Sequence, residues 1–130
     1  MAPNSFPIYP RTPRINWANN VATANTSKDL TSGTSYLVFT ADANVGSRLD
    51  FLRIRHRGTN VATVLRVFIN NGSTTGTAAN NVLFTELTIA ANTLSETAQS
   101  TEYEIATDLP LPPGYRVYVT VGTAIAAGVD

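Results

Sequence analysis

From Tyr36 to Val121, large apolar residues recur at every second position in short runs. Successive side chains of an extended strand point to opposite faces, so this period builds half-buried strands. It excludes amphipathic helices, whose period is about 3.6 residues. The pattern predicts strands over 36–40, 49–57, 62–70, 82–89, 103–109 and 115–121. In the second of these, Leu52, Ile54 and His56 share one face, while Phe51, Arg53, Arg55 and Arg57 share the other. In the third, Leu65, Val67 and Ile69 oppose Val64, Arg66 and Phe68. Turn formers separate the runs: Gly58-Thr59-Asn60, the polar stretch Asn70–Thr77, and Pro112-Pro113-Gly114. The second and third strands read as a hairpin with a slightly long loop. A short helical turn fits residues 91–101, and residues 124–130 begin a further strand.

Short antiparallel strands at this spacing make a sandwich or barrel. The fold class expected is an all-β antiparallel sandwich, jelly-roll or Greek-key like, with an extended N-terminal arm. The arm is residues 1–34 and the body residues 35–130. Pro3, Pro7, Pro10 and Pro13 punctuate the first half of the arm and hold it extended. Phe6, Ile8, Tyr9, Ile15 and Trp17 are interleaved with them. A solvated linker has no use for five large apolar side chains, so this half is expected to dock on its own body or on a neighbour. Residues 18–34 are rich in Asn, Thr, Ser and Ala and read as irregular loop with one short strand.

Nine acids balance nine bases. That balance argues against a general binder of nucleic acid or anionic membrane. The arm carries Arg11, Arg14 and Lys28 against Asp29, a net +2, and the body is −2. No apolar run approaches the roughly 20 residues of a membrane span. The N-terminus has no basic and apolar signal pattern, so no secretory signal is expected.

Catalytic chemistry finds little to work with. There is no cysteine and one histidine, His56, which cannot build the usual zinc sites. No Gly-x-Ser-x-Gly elbow accompanies it, and a partly buried structural histidine is the better reading. Glu96, Glu102, Glu104 and Asp108 form an acidic stretch without a base among them. Paired carboxylates hydrolyse glycosides when held at set separations, but nothing in the sequence brings these four together, and a solvated edge or one half of a subunit contact is the better reading. The segment Gly72–Gly76 lacks the Lys-Ser/Thr of a phosphate loop. No enzyme, cofactor or metal is therefore expected. Arg53, Arg55 and Arg57 form a ladder on one strand face. It is either a solvated sheet face or an interface where arginine pairs with carboxylates.

Three strings carry a resemblance: Gly58–Gly72, Leu83-Phe84-Thr85-Glu86-Leu87-Thr88, and Leu111-Pro112-Pro113-Gly114-Tyr115-Arg116-Val117. The body, over roughly residues 35–128, resembles small β-sandwich structural proteins of the virions of tailed bacteriophages. The resemblance implies a virion component, with capsid decoration or cementing as its work. Such proteins often continue for another strand after the Ala-Ala-Gly, so a partner or the arm is expected to supply a closing strand.

The expectation is a capsid decoration or cement protein on the phage head, made in the host cytoplasm. Its partners would be the major capsid protein and further copies of itself, a homotrimer being favoured, with no nucleic acid or membrane. Tyr9, Arg11, Arg14, Ile15 and Trp17 of the arm, with Arg53, Arg55 and Arg57 of the body, are the candidate partner-binding residues. Aromatic and arginine side chains are the usual anchors of interfaces. The alternative is a receptor- or glycan-binding domain of a tail fibre or baseplate.

Overall fold

The computed structural model describes residues 13–130. Six strands follow in chain order: β1 (Tyr36–Thr40), β2 (Ser47–Arg55), β3 (Thr63–Asn70), β4 (Asn81–Ile89), β5 (Glu102–Leu111) and β6 (Arg116–Val121). Each lies within two residues of its expected limits. They form two antiparallel sheets, one of four strands in the order β1-β6-β3-β4 and one pairing β2 with β5. The all-β antiparallel fold read from the two-residue period is the fold observed.

Alternation decides which side chains meet between the sheets. Leu52 and Ile54 of β2 and Leu111 of β5 join one cluster with Phe39, Leu65, Val67, Ile89, Val117, Val119 and Val121 of the larger sheet. Each such side chain, once buried, stabilises the fold by roughly 1.5–3 kcal/mol. The opposite faces of β2 and β5 carry charge instead, and are solvated.

β3 departs from simple alternation, because both its faces are covered. Leu65 and Val67 enter the main cluster. Arg66 and Phe68 face the other way, yet Phe68 is 0% exposed. Residues 25–30 lie across this side. Asn81 Nδ2 donates to the Asp29 carbonyl at 2.8 Å, Arg66 Nη1 reaches the Asn25 carbonyl at 3.4 Å, and Leu30 is buried. The Arg66 Nε to Glu86 Oε1 pair, at 2.7 Å, supplies the counter-charge that a largely buried guanidinium requires.

The expected β2–β3 hairpin does not form. β2 pairs only with β5 among the strands, whereas β3 is flanked by β6 and β4. A strand occupied on both edges and covered on both faces has no place left for β2. The connection after β2 instead crosses to the opposite sheet. It is held by Asn60, whose backbone exchanges two 2.9 Å hydrogen bonds with Asn92. The expected turn of helix in 91–101 is also absent, and one 3-10 turn stands at Ala78–Asn80 in the loop before β4. Residues 91–101 instead make bends and the bridge to Asn60.

The C-terminal segment adds a strand fragment to the small sheet. Arg55 and Asp130 exchange backbone hydrogen bonds at 2.9 Å, and the Arg57 amide donates to the Gly128 carbonyl. On its other side, Val129 exchanges bonds with Val21 at 2.9 and 3.1 Å. A residue of the N-terminal segment, Val21, thus supplies an isolated bridge beyond the C-terminal segment.

Candidate assembly surface

The N-terminal segment has two halves with different surroundings. From Asn20 onward its polar groups are tied to the body. The Asn20 amide donates to Asp130 Oδ1 at 2.8 Å, and the amides of Ala22 and Thr23 donate to the Tyr36 hydroxyl at 3.3 and 3.2 Å. Asn25 is 4% exposed. Its Nδ2 donates to the Ser32 and Thr34 carbonyls, both at 2.9 Å, and its Oδ1 accepts from the Ser27 amide at 2.9 Å. Folding the chain back onto this amide brings Gly33 so close that an added Cβ would stand 2.7 Å from Asn25 Cγ. Its φ of +75° suits glycine as well.

Residues 13–19 make no backbone hydrogen bond among the described residues. One contact holds the far end: Arg14 Nη2 lies 3.0 Å from Asp42 Oδ2, in the turn after β1. Backbone amides of Asn44 and Val45 that donate to Asp42, and then Arg14, hold its carboxyl below the usual carboxylate range. Between these anchors Ile15 is 84% exposed and Trp17 72%. Neither packs on its own body as an apolar side chain ordinarily would.

Beneath this stretch the sandwich is open. A cavity of about 580 Å³ separates β1 from the edge of β2. It is lined by Val38 and Phe39, by Leu49, Leu52 and Ile54, and by Val129, with Arg14–Ala18 along its mouth. Among the described residues, the side of β2 away from β5 is paired at Arg55 alone, by the C-terminal segment. Among the described residues no backbone hydrogen bond reaches that side between Ser47 and Arg53. An unpaired edge beside an apolar hollow is the geometry that accepts an added strand.

The other sequence candidates fall elsewhere. Tyr9 and Arg11 lie outside the described residues. Arg53, Arg55 and Arg57 stand on the solvated side, the first two on the outer face of β2 and Arg57 just beyond its end. Arg53 Nε pairs with Glu102 at 2.8 Å, its Nη2 with Glu104 at 3.6 Å, and its guanidinium sits 5.7 Å from the Phe51 ring centroid. Arg57 pairs with Asp130 at 3.6 Å, while Arg55 has no ion-pair partner among the described residues. Arg48 bridges Asp50 and Asp108 where β2 and β5 slip register. Three of the four acids noted in sequence, Glu102, Glu104 and Asp108, are thus matched to arginines across the small sheet rather than gathered as a carboxylate pair. Exposed pairs of this kind contribute about 0–1 kcal/mol each.

His56 joins the inner face with Leu52 and Ile54, 9% exposed and edge-on to Tyr103. Its tautomer follows from Asn60. Asn60 Oδ1 accepts from the Ala127 amide at 2.8 Å, and Nδ2 donates to the Gly128 carbonyl at 2.8 Å. Those backbone partners fix the amide's orientation, so Nδ2 also donates to His56 Nδ1 at 3.0 Å. The ring is therefore neutral with its proton on Nε2, which makes no close hydrogen bond among the described residues. Burial lowers the His56 pKa, outweighing an opposing effect of the Ala90 backbone.

The asparagines went unrecognised in sequence. Asn25, Asn60, Asn70 and Asn81 are turn formers by propensity, yet each holds a second segment of the chain through its amide. Their number, twelve in the chain, is the one signal that pointed to them. Among the described residues no helix is long and apolar enough to cross a membrane, and no three His, Asp or Glu side chains gather as a metal-binding group. No protein-family model, curated protein or solved structure matches the chain, so the surface stands on its own geometry.

Proposed function

We propose that this protein is a structural virion component, a capsid decoration or cement protein that works as a homo-oligomer on the phage head. A trimer is favoured, and the major capsid protein is the other partner. One observation carries the reading: Ile15 and Trp17 stand exposed on an arm held beside an apolar, unpaired seam of the body. Exposed apolar anchors of this kind belong to interaction surfaces. The resemblance of residues 35–128 to tailed-phage virion proteins supplies the setting. Multivalent contact would let individually weak arm contacts hold a lattice.

Deleting residues 1–17 leaves the docked half in place and tests this directly. The shortened protein should fold, fail to bind capsids, and leave them no more resistant to heat than undecorated ones. Unchanged binding and protection would refute the reading. Electron microscopy of purified particles should place the protein on the head; density confined to the tail would support the receptor-binding alternative instead.

A further inference from the structure

Two apolar features of the molecule are unmet at the same place. The seam is hollow, and the arm that crosses it turns its large side chains outward. Ala18 is half-buried against the core, while Ile15 and Trp17 face solvent. The arm's own anchors enforce this. Val21 is paired with Val129, the Asn20 amide with Asp130, and Arg14 with Asp42, so the five residues between Arg14 and Asn20 are pinned at both ends.

We propose that the arm is exchanged between copies, with residues Arg14–Ala18 of a second copy adding as a strand to the free edge of β2. Ile15 and Trp17 lie two positions apart, so in an extended strand both enter the seam together. The cavity is large enough to take both side chains. Its mostly apolar lining suits them, and the edge amides and carbonyls of β2 gain partners that they lack among the described residues.

Charge is mixed along the seam, where Asp50 and Asp130 stand beside Arg48, Arg53 and Arg55, so the apolar hollow and the open edge select the occupant. Geometry limits the arrangement. An arm rooted at its own Val21 reaches roughly 13 Å in four extended residues. The exchanging bodies must therefore lie with their seams side by side, and the contact closes on itself by symmetry. This deepens the reading of the arm as an assembly element and rests on it.

Trp17 is the only tryptophan, so its fluorescence reports the arm alone. The full chain is diluted in steps, with mass in solution and Trp emission followed together. The emission should be that of a solvated indole in the monomer and move to the blue as the mass rises to a dimer or trimer. Acrylamide quenching should fall several-fold over the same range. Ile15→Asp, at a residue already in solvent, should fold normally, stay monomeric at concentrations where the parent associates, and keep the solvated emission.

Three results would overturn the proposal. They are a blue emission already present in the monomer, association that leaves Trp17 solvated, and a chain that stays monomeric with solvated Trp17 at every concentration. In each case, capsid binding that still requires residues 1–17 would leave the cement reading standing, so the two failures are told apart.

Discussion

The two halves of the N-terminal segment invert the usual relation between composition and burial. Residues 20–34, made of Asn, Thr, Ser and Ala with few large apolar groups, are anchored to the body at the buried Val21, Asn25 and Leu30. Residues 13–19 carry Ile15 and Trp17 and remain outside it. The difference lies in where the backbone's hydrogen bonds go. The polar half meets partners at Val129, Val121, Tyr36 and its own Asn25, so its amides lose nothing by leaving water. The apolar half finds no such backbone partners among the described residues, and its side chains alone do not hold it down. Docking of a strand-like segment is decided by backbone satisfaction first and apolar area second.

The comparison breaks first at Leu30, which with Val21 is one of the two large apolar side chains of the docked half that are buried. Leu30→Ala should cost about 3 kcal/mol, read as a lower urea midpoint with an unchanged slope. A loss below about 0.5 kcal/mol would mean that the half is laid on the body rather than built into it. Asn25→Ala should follow at about 2 kcal/mol, because it removes three hydrogen bonds and strands the carbonyls of Ser32 and Thr34. Full stability in that variant would show that water serves those groups as well as the amide does.

These residues also mark how much was legible in advance. The strands were, because a period of two over five to ten residues states both the element and its buried face. The pairing of β2 was not. The connection after Arg55 is compatible with a hairpin or a crossing, and only the apolar residues on both faces of β3, Val64 and Phe68 against Leu65 and Val67, hinted that its edges were taken. Asn25 was illegible for another reason. Its partners lie seven and nine residues away, brought back by the turn at Gly33, and propensity knows nothing of such distances. The seam depends on the spacing between two sheets at β1 and β2, which no pattern along the chain encodes. The exposed faces of Arg53 and Arg55 were visible from period alone; their pairing with Glu102 and Glu104 required the register of β2 on β5.

A smaller effect follows from the place where the two halves are joined to the rest, the Val21–Val129–His56 rungs. Protonating His56 would set a new N–H against the Nδ2 of Asn60, which is fixed as a donor. Its pKa is lowered from 6.5 by burial, against the weaker opposing effect of the Ala90 backbone. Between that lowered value and 6.5 the unfolded chain binds more protons than the folded one, so stability rises with pH there and falls as pH drops below 6.5. Asp29 and Asp42 act in a separate, more acidic window. Hydrogen bonds from Thr31 and Ser27 lower Asp29, and bonds from the Asn44 and Val45 amides, then Arg14, lower Asp42. Their contributions are present above 3.8 and lost as pH falls through the lowered values. Urea midpoints taken from about pH 7.5 to 5 should therefore decline, and the single histidine should titrate below its ordinary value in NMR spectra. A flat profile would detach the histidine from the stability of this junction.

The smallest effect should come from the most conspicuous residue. Trp17→Ala, measured at a dilution where the chain is monomeric, should change unfolding free energy by no more than about 0.5 kcal/mol, since a side chain already in water loses little when truncated. Set beside Leu30→Ala, it sharpens the comparison within one segment: the smaller leucine sustains the body and the larger indole does not. A loss above about 1.5 kcal/mol would mean that Trp17 packs on its own chain in solution, and the division between a docked half and a free half would then move from Asn20 toward the N-terminus.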